Sequence, residues 1–219
     1  LDFESNLVQT LMYLLDLIGI AVFAVTGSLA AGKKRMDLLG VVVLATVTAL
    51  GGGTLRDLIL GASPVFWVSS PVYLLVAAAT AIVTFLLVRF FNLPHKLLSI
   101  ADAFGLAVFT VVGTQKALAL GTAQGIAVVM GVMTAVVGGM IRDVLSGEIP
   151  LILRREIYAT ASLFGAIVFC VISVSLQSRT LAIIASIAVT LGLRLSAIKW
   201  NLSLPLFVSQ EDETKESKR

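Results

Sequence analysis

Apolar residues run along this chain in stretches of about twenty positions, the length a helix needs to cross a hydrocarbon layer. Charges, prolines and short polar clusters break the runs. Seven runs predict seven helices, at about 7–31, 38–60, 71–91, 97–118, 123–146, 156–177 and 180–199. Asp16, Arg56, Lys116 and Arg142 interrupt otherwise apolar stretches. After Ser209 the tail QEDETKESKR is charged and reads as a solvated, disordered end.

Composition turns this pattern into a class. Of 219 residues, 58% are hydrophobic and 13% charged, against roughly 25% charged in ordinary soluble domains. That leaves too little polar surface to cover a soluble globule. The expected fold is an all-α polytopic membrane protein with a single transmembrane domain over 1–200 and a cytoplasmic charged tail over 201–219. The net charge of +3 reflects loop topology in such a protein and implies no nucleic-acid partner. The single Cys170 lies in an apolar run and reads as a buried small hydrophobe. Asp2 and Glu4 replace the basic start of a signal peptide, so the first apolar segment reads as a retained helix.

Basic residues set an expected orientation. Lys33, Lys34 and Arg35 follow the first predicted helix, Arg89, His95 and Lys96 lie around the connection after the third, and Arg154 and Arg155 follow the fifth. Arg194, Lys199, Lys215, Lys218 and Arg219 lie near or beyond the end of the seventh, and the alternate connections are poor in basic residues. The positive-inside rule then places the N-terminus outside and the C-terminus in the cytoplasm. Trp67 and Trp200 fall near helix ends, where interfacial anchors belong.

The chain also repeats itself. A shift of 86 residues carries Asp16 onto Asp102, Gly19 onto Gly105, Phe23 onto Phe109 and Gly27 onto Gly113. It carries Gly52-Gly53 onto Gly138-Gly139, Arg56-Asp57 onto Arg142-Asp143, Gly61 onto Gly147 and Pro64 onto Pro150. Residues 16–64 and 102–150 share 18 identities in 49 gapless positions. Shared hydrophobicity alone does not align Asp, Arg-Asp and Pro at one offset. Each unit holds three helices, so the second starts on the opposite side of the membrane. The expectation is a pair of inverted repeats, about 7–92 and 93–178, with the seventh helix (180–199) outside them. Pathways of transporters built this way lie near the repeat interface.

The candidate chemistry sits inside the runs. Gly51, Gly52 and Gly53 precede Arg56-Asp57 in the second predicted helix, and Gly138 and Gly139 precede Arg142-Asp143 in the fifth. Consecutive glycines weaken a helix by about 1 kcal/mol each relative to alanine. They read as a kinked or broken helix lining a polar path, with close helix packing as the other reading. Arg56 and Arg142 are costly in lipid and belong in the bundle interior or at a snorkelling depth. Adjacent helix positions point about 100° apart, so Asp57 and Asp143 are expected to pair with another helix and not with their neighbouring arginines. Asp16 and Asp102 are natural counterparts. Their ion pairs serve either structure or conduction. Lys116 is expected to snorkel to the interface, with a pore-facing position as the alternative. His95 reads as a loop residue. One His, one Cys and scattered carboxylates form no metal cluster, no cofactor is expected, and no catalytic motif appears.

The three-plus-three inverted repeat with GGGTLRD in the second helix and GGMIRD in the fifth resembles the prokaryotic trimeric intracellular cation (TRIC) channel family, also known as glycine-transporter-domain membrane proteins. The resemblance covers about residues 7–200. It implies a homotrimer in the bacterial inner membrane, surrounded by lipid, with a pore in each protomer. Kinked second and fifth helices would line that pore, which would pass monovalent cations, chiefly potassium and sodium. Gly51, Gly52 and Gly53 match the first kink and Gly138 and Gly139 the second, where Val137 replaces the first glycine. The bottom-up alternatives are a secondary transporter of a small amino acid such as glycine and a non-conducting scaffold.

Overall fold

Asp37 begins the second helix by accepting the Gly40 N–H at 2.7 Å on its side chain, an N-cap that satisfies one of the first orphan donors. The structure, a computed structural model, describes residues 2–88, 90, 96–154 and 157–203. Arg89, His95, Arg155 and the charged tail lie outside the described residues. The described helices are α1 (Asp2–Lys33), α2 (Leu38–Ile59), a one-turn α3 (Phe66–Ser69), α4 (Val72–Val88), α5 (Leu97–Ala119), α6 (Gln124–Leu145), α7 (Ala159–Ser175) and α8 (Arg179–Trp200). A 3-10 turn, Leu151–Leu153, precedes α7.

Five helices have segments long and apolar enough to cross a membrane: Val8–Lys33 of α1, and α2, α5, α6 and α8. The apolar α4 and α7 are shorter, at 17 residues each, about 26 Å at 1.5 Å per residue. The outer faces carry bare hydrophobics: Leu39 is 71% exposed, Leu75 65% and Val144 60%. Apolar surface that extensive marks a membrane or partner interface and is foreign to a soluble monomer.

The helices α2 and α6 end alike. Gly61 and Gly147 take φ of 67° and 68°, the left-handed region open to glycine at no steric cost. In each the chain then folds back: Ala62 N–H donates to Asp57 O at 2.9 Å, and Glu148 N–H to Asp143 O at 2.8 Å.

The interior is built by small residues facing rings and carbonyls. The Phe23 and Phe109 rings meet with centroids 5.1 Å apart. Phe23 lies over Gly105 and Phe109 over Gly19. Helix α5 is buried along nearly its whole length and packs on α1, α6, α7 and α8. Helices α2 and α6 also pack on each other.

The expected break at the glycines is not seen. Both α2 and α6 run as continuous helix through Gly51–Gly53 and Gly138–Gly139. Gly52 and Gly138 sit where the two helices meet. They let the two helices approach, because a Cβ at Gly52 would strike the Thr134 carbonyl and one at Gly138 the Thr48 carbonyl.

Candidate functional site

Asp57, in the last turn of α2, is the hub of one charged cluster. Its Oδ1 receives Arg56 Nε and Nη2, each at 2.8 Å. Lys116 Nζ of α5 approaches both carboxylate oxygens at 2.8 Å. The Phe66 backbone N–H donates to Oδ2 at 3.0 Å. The Phe66 ring then covers both cations, with Arg56 Cζ 5.6 Å and Lys116 Nζ 5.9 Å from its centroid, a favourable placement for positive charge.

Asp143 holds the matching place at the end of α6. Its Oδ1 receives Arg142 Nε at 2.8 Å, and its Oδ2 the Leu151 N–H at 3.0 Å. Arg142 Nη1 also donates to Asp102 Oδ1 of α5 at 2.6 Å. Both Arg142 and Asp102 are 0% exposed. Tyr158 lies beside them, and Arg194 of α8 stacks on the Tyr158 ring at 5.0 Å while Nη1 donates to Ile157 O at 3.3 Å.

One expectation is corrected here: cross-helix pairs do form, Asp57 with Lys116 and Arg142 with Asp102, but not to the exclusion of the neighbours. Each arginine does pair with the aspartate next to it. A backbone N–H at the start of the next short helical turn, Phe66 or Leu151, pins each carboxylate, and the long guanidinium arm folds back to reach it; helical spacing alone omits that reach. Lys116, at the end of α5, is partly exposed, and its Nζ is held by the buried Asp57.

The two clusters differ at their counterpart carboxylates. Asp102 is tied to Arg142, whereas Asp16 has no Lys or Arg nitrogen within ion-pair distance among the described residues. Asp16 instead lines a cavity of about 720 Å³. That cavity lies where the N-terminal part of α1, the end of α5 and the start of α8 come together, and Tyr13, Tyr73, Gln115, Lys116 and Arg179 also line it. Among the glycines, Gly53 packs under the Phe66 ring and Gly139 under Tyr158 and Asp102, so each supports one cluster. Gly51 faces Ile141.

Sequence reasoning missed Phe66, Gln115, Tyr158 and Arg194. Arg194 carries the same signal as Arg56, a cation inside an apolar run, but reads there as a topology marker. Phe66 acts first through its backbone N–H, which leaves no trace in residue type.

Buried arginines paired inside apolar helices, beside a polar cavity and under a bare hydrophobic exterior, define a multi-pass membrane protein with a charged interior. A family model described as Glycine transporter matches residues 13–89 and 99–174. The UPF0126 membrane protein of Vibrio cholerae is 49% identical over 210 residues, which is 94% of this chain and 87% of that protein. The UPF0126 inner membrane protein YadS of Escherichia coli K12 is 51% identical over 207 residues, covering 92% of this chain and 99% of YadS. The solved TRIC trimeric intracellular cation channel orthologue from Rhodobacter sphaeroides has a TM-score of 0.85 at 44% identity, over 88% of this chain and 100% of that one. A second TRIC cation channel structure, used to explain conductance, has a TM-score of 0.81 at 40% identity, over 90% and 97%. The chain belongs to the TRIC channel family.

Proposed function

We propose that the protein is a monovalent-cation channel of the bacterial inner membrane, passing potassium and sodium. It works as a homotrimer with a path inside each protomer. The observation that carries this reading is the likeness to solved TRIC channels over nearly the full length of those chains. All seven long helices cross the membrane, the N-terminus outside and the C-terminus in the cytoplasm. They form two inverted three-helix repeats with α8 added.

The path enters at the cavity beside Asp16, passes the Arg56–Asp57–Lys116 cluster and follows the α2–α6 crossing to Arg142, Asp102 and Asp143. Gly51, Gly52, Gly53, Gly138 and Gly139 keep α2 and α6 close enough to control its width. The arginines cannot be neutralised by losing a proton, so each blocks or frees the path by changing carboxylate partner. The reciprocal placement of Gly52 and Gly138 on the Thr134 and Thr48 carbonyls supports a crossing at which the α2 and α6 backbones meet directly.

Potassium efflux from proteoliposomes, driven by a set membrane voltage, tests the reading. Efflux proportional to the voltage and independent of added glycine is expected. Saturable glycine uptake coupled to an ion, with no independent potassium flux, would replace it with a carrier.

A further inference from the structure

Asp16 and Asp102 hold the same place in the 86-residue repeat, and so do Arg56 and Arg142. In the second repeat the two are joined. Arg142 keeps Nε on Asp143 while its Nη1 donates to Asp102 Oδ1 at 2.6 Å. In the first repeat the same bond is missing. Arg56 turns both Nε and Nη2 onto Asp57 Oδ1. Its Nη1, the atom equivalent to the one that holds Asp102, is buried and meets no acceptor among the described residues. Asp16, the equivalent acceptor, has no Lys or Arg nitrogen within ion-pair distance among the described residues and lines the cavity between α1, α5 and α8.

A donor and an acceptor that bond in one repeat are thus both left without that bond in the other. A buried N–H with no acceptor is unfavourable, and a guanidinium cannot shed the proton. The charge of Arg56 already acts on Asp16 across the gap between them. We infer that Asp16 and Arg56 form a latch: in a second conformation the Asp16 carboxylate accepts Arg56 Nη1 and the cavity beside it shuts. The present conformation is the unlatched one. The latch rests on the channel reading and names the carboxylate that Arg56 gains within it.

Arg56 need not leave Asp57 to do this, since Arg142 serves Asp143 and Asp102 together. The movement is therefore one of α1 toward the end of α2. Met12 and Tyr13, one turn before Asp16, line the same cavity, so that movement carries a wall of the cavity inward. Transporters built of inverted repeats change state by rocking one unit against the other, and two equivalent sites then stand in different states. Charge favours closing as well. Arg56 and Lys116 share the single carboxylate of Asp57, which leaves a surplus positive charge that Asp16 offsets. Arg179 also lines the cavity, but it is exposed, and an exposed cation competes weakly for a carboxylate.

The test uses the full-length protein. Asp16→Asn removes the latch, so single-channel openings should lengthen by about twofold, the factor for two equally populated forms. Asp16→Glu should bring the open times part of the way back. A second readout needs no current. With Cys170→Ala removing the one native thiol, Met12→Cys on the cavity wall should react with a membrane-impermeant thiol reagent, and adding Asp16→Asn should raise the rate by a similar factor. Equal labelling rates and equal open times with and without Asp16→Asn, in assembled protein, would overturn the latch. If the wild-type protein passes no potassium current, the channel reading fails, and the labelling rates alone then decide the latch.

Discussion

Gly52 of α2 presents its bare Cα to the backbone carbonyl of Thr134 on α6, where a Cβ would collide with the oxygen. The same relationship holds between Gly138 of α6 and the Thr48 carbonyl of α2. Both members of the second pair lie 86 residues from a member of the first. One crossing thus carries two copies of the same contact, and the charged clusters sit just beyond it along each helix.

Alanine at either position should be costly, because the obstructing atom is backbone and cannot swing aside. Overpacking of this kind costs about 1–3 kcal/mol. Gly52→Ala and Gly138→Ala should both lower the detergent melting temperature clearly. Gly125→Ala, with open space around it, should leave it unchanged. Equal melting temperatures for all three would show that the crossing relaxes without strain.

Removing the arginines should not be symmetrical. Arg142→Ala strands the buried Asp102 and loses one bond to Asp143, a loss of about 3–5 kcal/mol for a buried pair. Arg56→Ala leaves Asp57 still paired with Lys116, so it should cost less. Chemical denaturation of the two variants in detergent checks the order. Both should alter flux strongly, since each removes a fixed positive charge from the proposed path; wild-type flux in folded, assembled variants would make the arginines purely structural.

Outside the spans, Glu148 accepts Lys34 Nζ at 2.7 Å, with Arg154 Nη2 at 3.4 Å. Lys34 holds the Glu148 carboxyl below its ordinary value of 4.5. A carboxyl lowered in the folded state favours folding above its ordinary value, and the gain is lost as pH falls through the lowered one. Glu148→Gln should therefore melt slightly below wild type at neutral pH and together with it in acid. The effect is small because the pair is exposed. A gap that widens on acidification would contradict the assignment.

Helix positions were legible from the apolar runs: the second predicted helix, 38–60, falls on Leu38–Ile59, and the fourth, 97–118, on Leu97–Ala119. The one-turn Phe66–Ser69 was not, since four residues carry no periodicity. Arg56, Asp57, Arg142, Asp143 and Asp102 were legible as candidates because charge in an apolar run is costly and the repeat marks it twice. Their pairing was not, because it depends on the Phe66 and Leu151 backbone N–H groups that pin the carboxylates. The different surroundings of Asp16 and Asp102 hide behind identical letters. One difference in the sequence bears on it: Lys116 has Ala30 as its counterpart 86 residues earlier, so the lysine that reaches Asp57 has no equivalent in the other cluster.

Assembly is open to a separate check. Native mass spectrometry in mild detergent should give a mass three times that of the 23.1 kDa chain; a stable monomer or dimer would remove the trimer from the proposal.

The most direct measurement is single-channel recording of the purified protein in a planar bilayer under a potassium chloride gradient. Discrete current steps that reverse toward the potassium equilibrium potential are expected. Reversal toward the chloride potential, or voltage-driven silence alongside saturable glycine flux, would contradict a cation channel.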